Sequence, residues 1–521
     1  MGKTVWRWLL TLQLLACSGA QSAQAAQTAP VMTGDGALAG QQQDGVDVYR
    51  GIPYALPPLD AWRWRPPQPV PAWQGVRDAG KLAPACMQQG VSMPGETPPE
   101  VSEDCLYLNV WAPPRRVGQR LPVIVWIHGG GYANGSASVP LYHGDRLARK
   151  GVVVVTIAYR LGALGFLAHP ALSAESPHHS SGNYGLMDQI AALEWVQRNI
   201  AAFGGDPGRV TIAGQSAGAM AVSALLSSPR AKGLFQRAIA QSGGIFEPLQ
   251  LAPGYLLANA ERDGASYMES LGATTLEAMR KLPADRLTGG GAGAVTHPVI
   301  EPHVLPLSPY DAYTQGRYHD VPLLLGSNSE EARALVNVTA VRADSFEADI
   351  TTSVGALPPA LLAAYPHATD AQAREGRLGL ERDLRFGWDM WAWARLAQKG
   401  RSPVYYYSFD HRPPFPADSV YAGWGASHYA ELWYMFDHLG QAPWAWRAAD
   451  RTLAAVMSSY WVHFAATGDP NGKGVPHWPA FRGTEGKVQR LGDPVSSGPV
   501  PAIDHLRVFD AVYSGLRGKA F

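Results

Sequence analysis

A serine at a sharp strand-to-helix turn constrains this chain more than any other feature. Gly214-Gln215-Ser216-Ala217-Gly218 follows the apolar run Val210-Thr211-Ile212-Ala213 and precedes a helix-like stretch from Ala219 to Leu226. Small residues at 214, 217 and 218 suit a strained turn that has no room for side chains and lifts the Ser216 hydroxyl above the sheet edge. A second motif lies earlier, where His128-Gly129-Gly130-Gly131 follows directly on an apolar run ending at Ile127. Acyl transfer needs backbone N–H groups to meet the oxyanion of a tetrahedral intermediate, and a loop without side chains leaves the approach open. The glycine loop after one strand and the serine turn after a later one together imply nucleophilic serine chemistry.

The surrounding pattern places both motifs in an α/β fold. Leu121 to Ile127 and Val152 to Ala158 are continuous apolar runs, as expected of strands buried on both faces of a parallel sheet. Leu141 to Lys150 reads as helical, and Asp188 to Ala202 carries apolar residues near helical period before the stop Phe203-Gly204-Gly205-Asp206-Pro207. Phe235 to Gln241, Val321 to Gly326 and Val404 to Phe409 supply further strands, giving a doubly wound sheet with helices on both faces. The proline-rich segment Asp47 to Trp73 suggests a small N-terminal region of strands and turns. Helices and the glycine run Gly289 to Gly293 read as an insertion over the sheet.

A serine hydroxyl is a poor nucleophile at neutral pH, so Ser216 needs a histidine base and a carboxylate that fixes the base's tautomer. Glu330 and Glu331 lie just beyond the strand Val321 to Gly326, at the strand end where catalytic groups of open sheets gather. His428 stands in the small-residue loop Gly425-Ala426-Ser427-His428, before a helical pattern from Tyr429 to Leu439. His411, His438 and His463 are rivals on position alone.

Charge narrows the partner class. The formal net charge of +0 over 521 residues leaves no electrostatic footprint for nucleic acid or an anionic membrane. A small, largely apolar molecule is the expected partner. Residues 1–26 read as a signal peptide, with Lys3 and Arg7 ahead of the apolar stretch Leu9 to Cys17 and Ala23-Gln24-Ala25 for cleavage. Leu14-Leu15-Ala16-Cys17 offers a competing lipoprotein site, which would leave a lipid anchor on Cys17. The mature chain, 27–521, is then read as one exported domain, periplasmic or extracellular, without a membrane span. Removal of the leader leaves Cys86 and Cys105, an even pair in an oxidising compartment, which favours a disulfide.

At this level of detail the chain resembles the type B carboxylesterase family, which includes bacterial para-nitrobenzyl esterases, secreted fungal lipases and cholinesterases. The resemblance runs through Gly51-Ile52-Pro53-Tyr54-Ala55, Glu103 to Val110, Trp126 to Gly131, Tyr159-Arg160-Leu161-Gly162, Gly182 to Gln189, Phe203 to Pro207, Gln241-Ser242-Gly243 and Thr467 to Asn471. It implies an α/β-hydrolase fold and ester hydrolysis without metal or organic cofactor. It assigns the acid to Glu331, the base to His428 and the oxyanion donors to the N–H groups of Gly130, Gly131 and Ala217. It also matches the family's first disulfide to Cys86 and Cys105, and gives Ser242 the task of supporting the buried acid from behind. Gln215 stands where many members have glutamate, which removes a charge from the expected pocket floor. Ala332 replaces a glycine, a change that only a negative φ tolerates. The aromatic cluster Phe386, Trp388, Met390, Trp391 and Trp393 falls where the family places acyl-pocket walls, and Trp388 and Trp391, sharing a face, are the expected pocket pair. No tryptophan lies between Cys86 and Cys105, which argues against choline esters. The rival from another class is a non-catalytic binding or adhesion member of the same fold. An amide, thioester, lipid or polyester substrate is open within the enzyme class.

Overall fold

Runs such as Leu121–Ile127 and Val153–Ile157 have no polar face to offer solvent, and the fold buries both. The computed structural model describes residues 26–93, 96–288 and 297–518. The leader with Cys17, and the glycine run Gly289 to Gly293, lie outside the described residues. Within them the main sheet has twelve strands: β1 Ala26–Gln27, β2 Gln41–Gln43, β3 Val46–Pro53, β4 Tyr107–Ala112, β5 Leu121–Ile127, β6 Val153–Ile157, β7 Gly205–Gln215, β8 Arg237–Gln241, β9 Leu323–Asn328, β10 Val404–Phe409, β11 Val488–Leu491 and β12 Ser496–Gly498. Their spatial order is β1-β2-β3-β4-β6-β5-β7-β8-β9-β10-β11-β12. The run from β6 to β11 is parallel throughout, whereas β1 to β4 and the closing β12 pair antiparallel.

Strand period two divides the core. Val123, Val125 and Ile127 of β5 join one apolar cluster, and Ile124 and Trp126 join the other. Helices α1 Tyr184–Asn199, α2 Ala217–Ser227, α3 Trp388–Ala397 and α5 Ile503–Arg517 contribute to the first cluster. Helix α4 Ala448–Thr467 packs its Leu453, Met457, Trp461 and Phe464 into the second. The large, mostly parallel sheet covered by helices is the architecture expected from the sequence.

Two expected helices shrink. The stretch from Leu141 to Lys150 is a turn, Pro140–Tyr142, followed by the short helix Asp145–Ala148. The pattern from Tyr429 to Leu439 keeps only Leu432–Met435. Tyr429 and Asp437 take φ of 74° and 57°, which a right-handed helix cannot include, so both ends are cut short. Cys86 and Cys105 are joined in a disulfide across 19 residues. A loop of that size restrains the unfolded chain enough to stabilise the fold by about 3 kcal/mol. No described helix is long and apolar enough to cross a membrane.

Candidate active site

The serine turn forms because β7 must hand over to α2 with almost no space. Ser216 caps α2 at φ 57° and ψ −127°, a conformation that costs an L-residue roughly 1–3 kcal/mol and persists only where neighbours enforce it. Its N–H donates to the Gln241 carbonyl at 2.8 Å, and its own carbonyl accepts from Ala219 and Met220. A side chain at Gly218 would bring its Cβ to 2.0 Å from the Ile127 carbonyl oxygen, so the turn packs directly on the end of β5. The loop after β5 therefore lies beside the serine: a Cβ on Gly129 would stand 2.9 Å from Ser216 Cβ. Among the described residues the N–H groups of Gly130, Gly131 and Ala217 find no protein acceptor, which leaves three donors open next to Ser216. His128 steadies this loop. Its ring stacks on Tyr159 at 4.5 Å, Nδ1–H donates to the Gly129 carbonyl, and burial lowers its pKa to about 4, so it is neutral.

Glu331 and His428 meet. His428 Nδ1–H donates to Glu331 Oε2 at 2.6 Å, and both side chains are buried. Glu331 Oε1 accepts the Asn328 N–H at 2.7 Å, so both carboxylate oxygens are engaged. Ala332 lies in the turn Glu331–Ala334 outside the positive-φ region, so its methyl is accommodated. Glu330 faces elsewhere, bonded to Arg412 and Arg333. Burial pushes its carboxyl up, but the Ala426 N–H and the two guanidinium groups outweigh that and hold it below the usual range. The rival histidines have other partners: His411 pairs with Asp450, His438 with Asp145, and His463 contacts the Pro470 carbonyl.

The His428 ring lies against Gln215. The Gln215 side-chain amide nitrogen is 3.1 Å from His428 Nε2 and 3.4 Å from Nδ1, and Gln215 is fully buried. It sits beneath the imidazole instead of forming an open pocket floor. Among the described residues the Ser216 hydroxyl has no hydrogen-bond partner. Hydrogen bonds between nucleophile and base often close only when substrate is in place.

The sequence profile of the carboxylesterase family matches residues 27–502. This chain belongs to the carboxylesterase family. It is 39% identical over 490 residues to the fumonisin B1 esterase of Sphingopyxis macrogoltabida, spanning 89% of this chain and 87% of that one. It is 35% identical over 470 residues to the para-nitrobenzyl esterase of Bacillus subtilis strain 168, covering 87% and 92% respectively. The Geobacillus stearothermophilus carboxylesterase structure at pH 6.2 superposes with a TM-score of 0.80 at 33% identity, over 92% of this chain and 99% of the other. The chain is thus a carboxylic ester hydrolase of α/β-hydrolase fold.

Three of the expected supporting residues are placed differently in this carboxylesterase. Trp388 and Trp391 do share a face, but it is turned into the core: Trp388 meets Tyr513 of α5 edge-on at 4.6 Å, and Trp391 donates its indole N–H to the Thr484 carbonyl beneath Arg395. Two aromatic rings reach the site instead, Phe386 stacked on His428 at 4.6 Å and 16°, and Tyr429 edge-on to it at 4.8 Å. Phe386 sits in the π-helical turn Asp383–Gly387, which widens the helix and swings residue 386 away from the face that α-helical spacing assigns to it. Ser242 packs behind the turn with its N–H on the Gly326 carbonyl, yet among the described residues its hydroxyl has no partner and gives Glu331 no hydrogen bond.

A second buried carboxyl beside Glu331, that of Glu431, has no counterpart among the residues expected from the sequence. Glu431, fully buried, accepts from Asn328 Nδ2 at 2.5 Å and from Gln241 Nε2 at 3.2 Å. Burial, reinforced by the charge of Glu331, pushes its pKa up to about 7. Asn328 thus bridges two carboxyls, with its N–H on one and its side chain on the other. An acidic residue three positions after His428, in an otherwise apolar run, is the available signal. Between pH 4.5 and about 7 the folded protein keeps a proton on Glu431 that the unfolded chain has released, so stability falls as pH rises through that window. Glu431→Gln removes the titration. Urea unfolding at pH 5 and pH 7.5 is expected to show a smaller loss of stability with pH in the variant; an identical loss in both proteins would place the proton elsewhere.

Proposed function

We propose that the chain hydrolyses small carboxylic esters through an acyl-enzyme formed on Ser216, with His428 as proton carrier and Glu331 as its anchor. The observation that carries this reading is the 2.6 Å contact between His428 Nδ1 and Glu331 Oε2, beside a serine held at positive φ with three unpaired amides around it. With Nδ1–H committed to Glu331, the imidazole presents a lone pair at Nε2. In the substrate complex the Ser216 hydroxyl engages that lone pair. Ser216 Oγ attacks the carbonyl carbon as its proton passes to Nε2, and the oxyanion is received by the N–H groups of Gly130, Gly131 and Ala217. The tetrahedral intermediate collapses, the C–O bond to the alcohol breaks, and Nε2–H protonates the leaving oxygen. Water then repeats the sequence on the acyl-enzyme, giving the carboxylic acid and free Ser216.

The name of the Bacillus subtilis relative points to activated benzyl esters as first substrates, and the charge balance favours neutral ones. The leader and the Cys86–Cys105 disulfide support export to an oxidising compartment, either free or tethered through Cys17. A fluorophosphonate probe tests the chemistry directly. One equivalent is expected to add to Ser216, located by peptide mass spectrometry, with p-nitrobenzyl and p-nitrophenyl ester hydrolysis lost in proportion. Adduct on another residue, or full turnover in the labelled protein, would overturn the assignment.

A further inference from the structure

The base and its anchor sit on two loops that leave the sheet separately, one after β9 and one between β10 and the helix Leu432–Met435. Their side chains touch only if those loops keep a fixed spacing. Glu330 supplies that spacing at both main-chain and side-chain level. Its N–H donates to the Ala426 carbonyl at 3.0 Å, and its Oε2 accepts the Ala426 N–H at 2.9 Å. Arg412, which follows β10, closes on the same carboxylate in bidentate fashion, Nε to Oε2 at 2.8 Å and Nη2 to Oε1 at 2.6 Å. Arg333 adds a third cationic contact at 2.8 Å. The opposite loop is shaped to receive this carboxylate: Gly425 has φ +61°, and a Cβ there would lie 2.2 Å from Glu330 Oε2. Two further bonds complete the join, His428 N–H to the Glu331 carbonyl at 3.2 Å and Asn328 Nδ2 to the Ser427 carbonyl at 2.7 Å.

We propose that Glu330, locked by Arg412, is a positioning residue that sets the distance and angle between His428 and Glu331. Glu330 touches neither the reacting atoms nor the imidazole, and it acts by fixing the loop that ends in the base. The ion pair suits this task because a bidentate guanidinium fixes direction as well as distance. The carboxylate side chain is only 14% exposed, which shields the geometry, while Arg412 at 69% brings its charge in from solvent. A surface pair of this exposure contributes little to stability by itself. The role is one of register, and it rests on the reading of His428 as the base.

The test compares Glu330→Ala, Glu330→Gln and Arg412→Met with the parent in kcat, KM and melting temperature, using p-nitrophenyl butyrate. A misplacement of about 1 Å in a reacting group costs on the order of 100-fold, so Glu330→Ala is expected to lower kcat by about that factor with KM within about threefold. Glu330→Gln keeps an acceptor for the Ala426 N–H and is expected to recover part of the lost kcat, while Arg412→Met reproduces the partial loss. A fall in melting temperature with kcat unchanged would overturn the proposal, since a purely structural brace moves only stability. His428→Ala in the same series separates this outcome from the reading beneath it. Retained activity in His428→Ala removes the base assignment. Its loss, alongside an unaffected Glu330→Ala, removes only the clamp.

Discussion

Alanine at Ser216 is expected to lower kcat for short p-nitrophenyl esters by a factor on the order of a million, with residual turnover about 10³–10⁴ above the uncatalysed rate. The residue of activity follows from what the substitution leaves. On the proposed mechanism Gly130, Gly131 and Ala217 still present their N–H groups and His428 keeps its bond to Glu331, so oxyanion stabilisation survives without a nucleophile. Folding is expected to be nearly untouched, within about 0.5 kcal/mol, because the hydroxyl makes no hydrogen bond among the described residues. Glycine at the same position sharpens the test. Ser216 holds φ 57°, where a Cβ is strained, so Ser216→Gly is expected to be as inactive as alanine yet more stable than it by about 1 kcal/mol. Thermal unfolding and single-turnover kinetics on the three proteins measure both effects. Turnover in Ser216→Ala above a thousandth of the parent value would move the nucleophile to another side chain.

The serine turn and the glycine loop were legible because steric exclusion writes itself into sequence. Where Gly218 meets the Ile127 carbonyl and Gly129 meets Ser216, no larger residue fits, and the small residues stand out against apolar strands. The parallel strands were equally plain, since burial on both faces demands unbroken apolar runs such as Val153–Ile157. Choosing Glu331 over Glu330 was beyond residue pattern alone. Both lie past the end of β9, and only the three-dimensional direction of each side chain separates the partner of His428 from the partner of Arg412. The pocket aromatics were misplaced for a definite reason. Spacing of three correctly put Trp388 and Trp391 on one face of α3, but spacing does not say whether that face meets the site or α5. The π turn at Asp383–Gly387 then gave Phe386, one residue pair earlier, the stacking position on His428. Ser242 shows the same limit at finer scale: the family resemblance implies that it supports the acid, whereas a hydrogen bond depends on a side-chain torsion that sequence does not encode.

Glutamine at Glu331 is expected to cost about 10⁴ in kcat, far more than loss of any pocket contact, because an amide cannot do what the carboxylate does in this position. Glu331 accepts twice, from Asn328 N–H at Oε1 and from His428 Nδ1–H at Oε2. Glutamine offers one acceptor and one donor. If its oxygen takes the Asn328 N–H, its NH₂ group faces Nδ1 and drives the imidazole proton to Nε2, where the lone pair for Ser216 is needed. If the amide turns over, its NH₂ group opposes the Asn328 N–H, leaving a buried donor unpaired at a cost of about 1–3 kcal/mol. Either arrangement also removes the negative charge that stabilises the imidazolium. A second consequence distinguishes this mechanism from simple loss of packing. Glu431 is held up at about 7 by burial first and by the charge of Glu331 second, so neutralising Glu331 lets Glu431 ionise at lower pH. The stability lost between pH 4.5 and about 7 is therefore expected to shrink in Glu331→Gln, as it does in Glu431→Gln, while kcat falls sharply only in the former. Stability measured by urea unfolding across that window, set beside kcat at pH 8, tests both at once. A Glu331→Gln enzyme that keeps more than about a tenth of kcat, well above the 10⁴-fold loss expected for a misplaced tautomer, would detach Glu331 from the base.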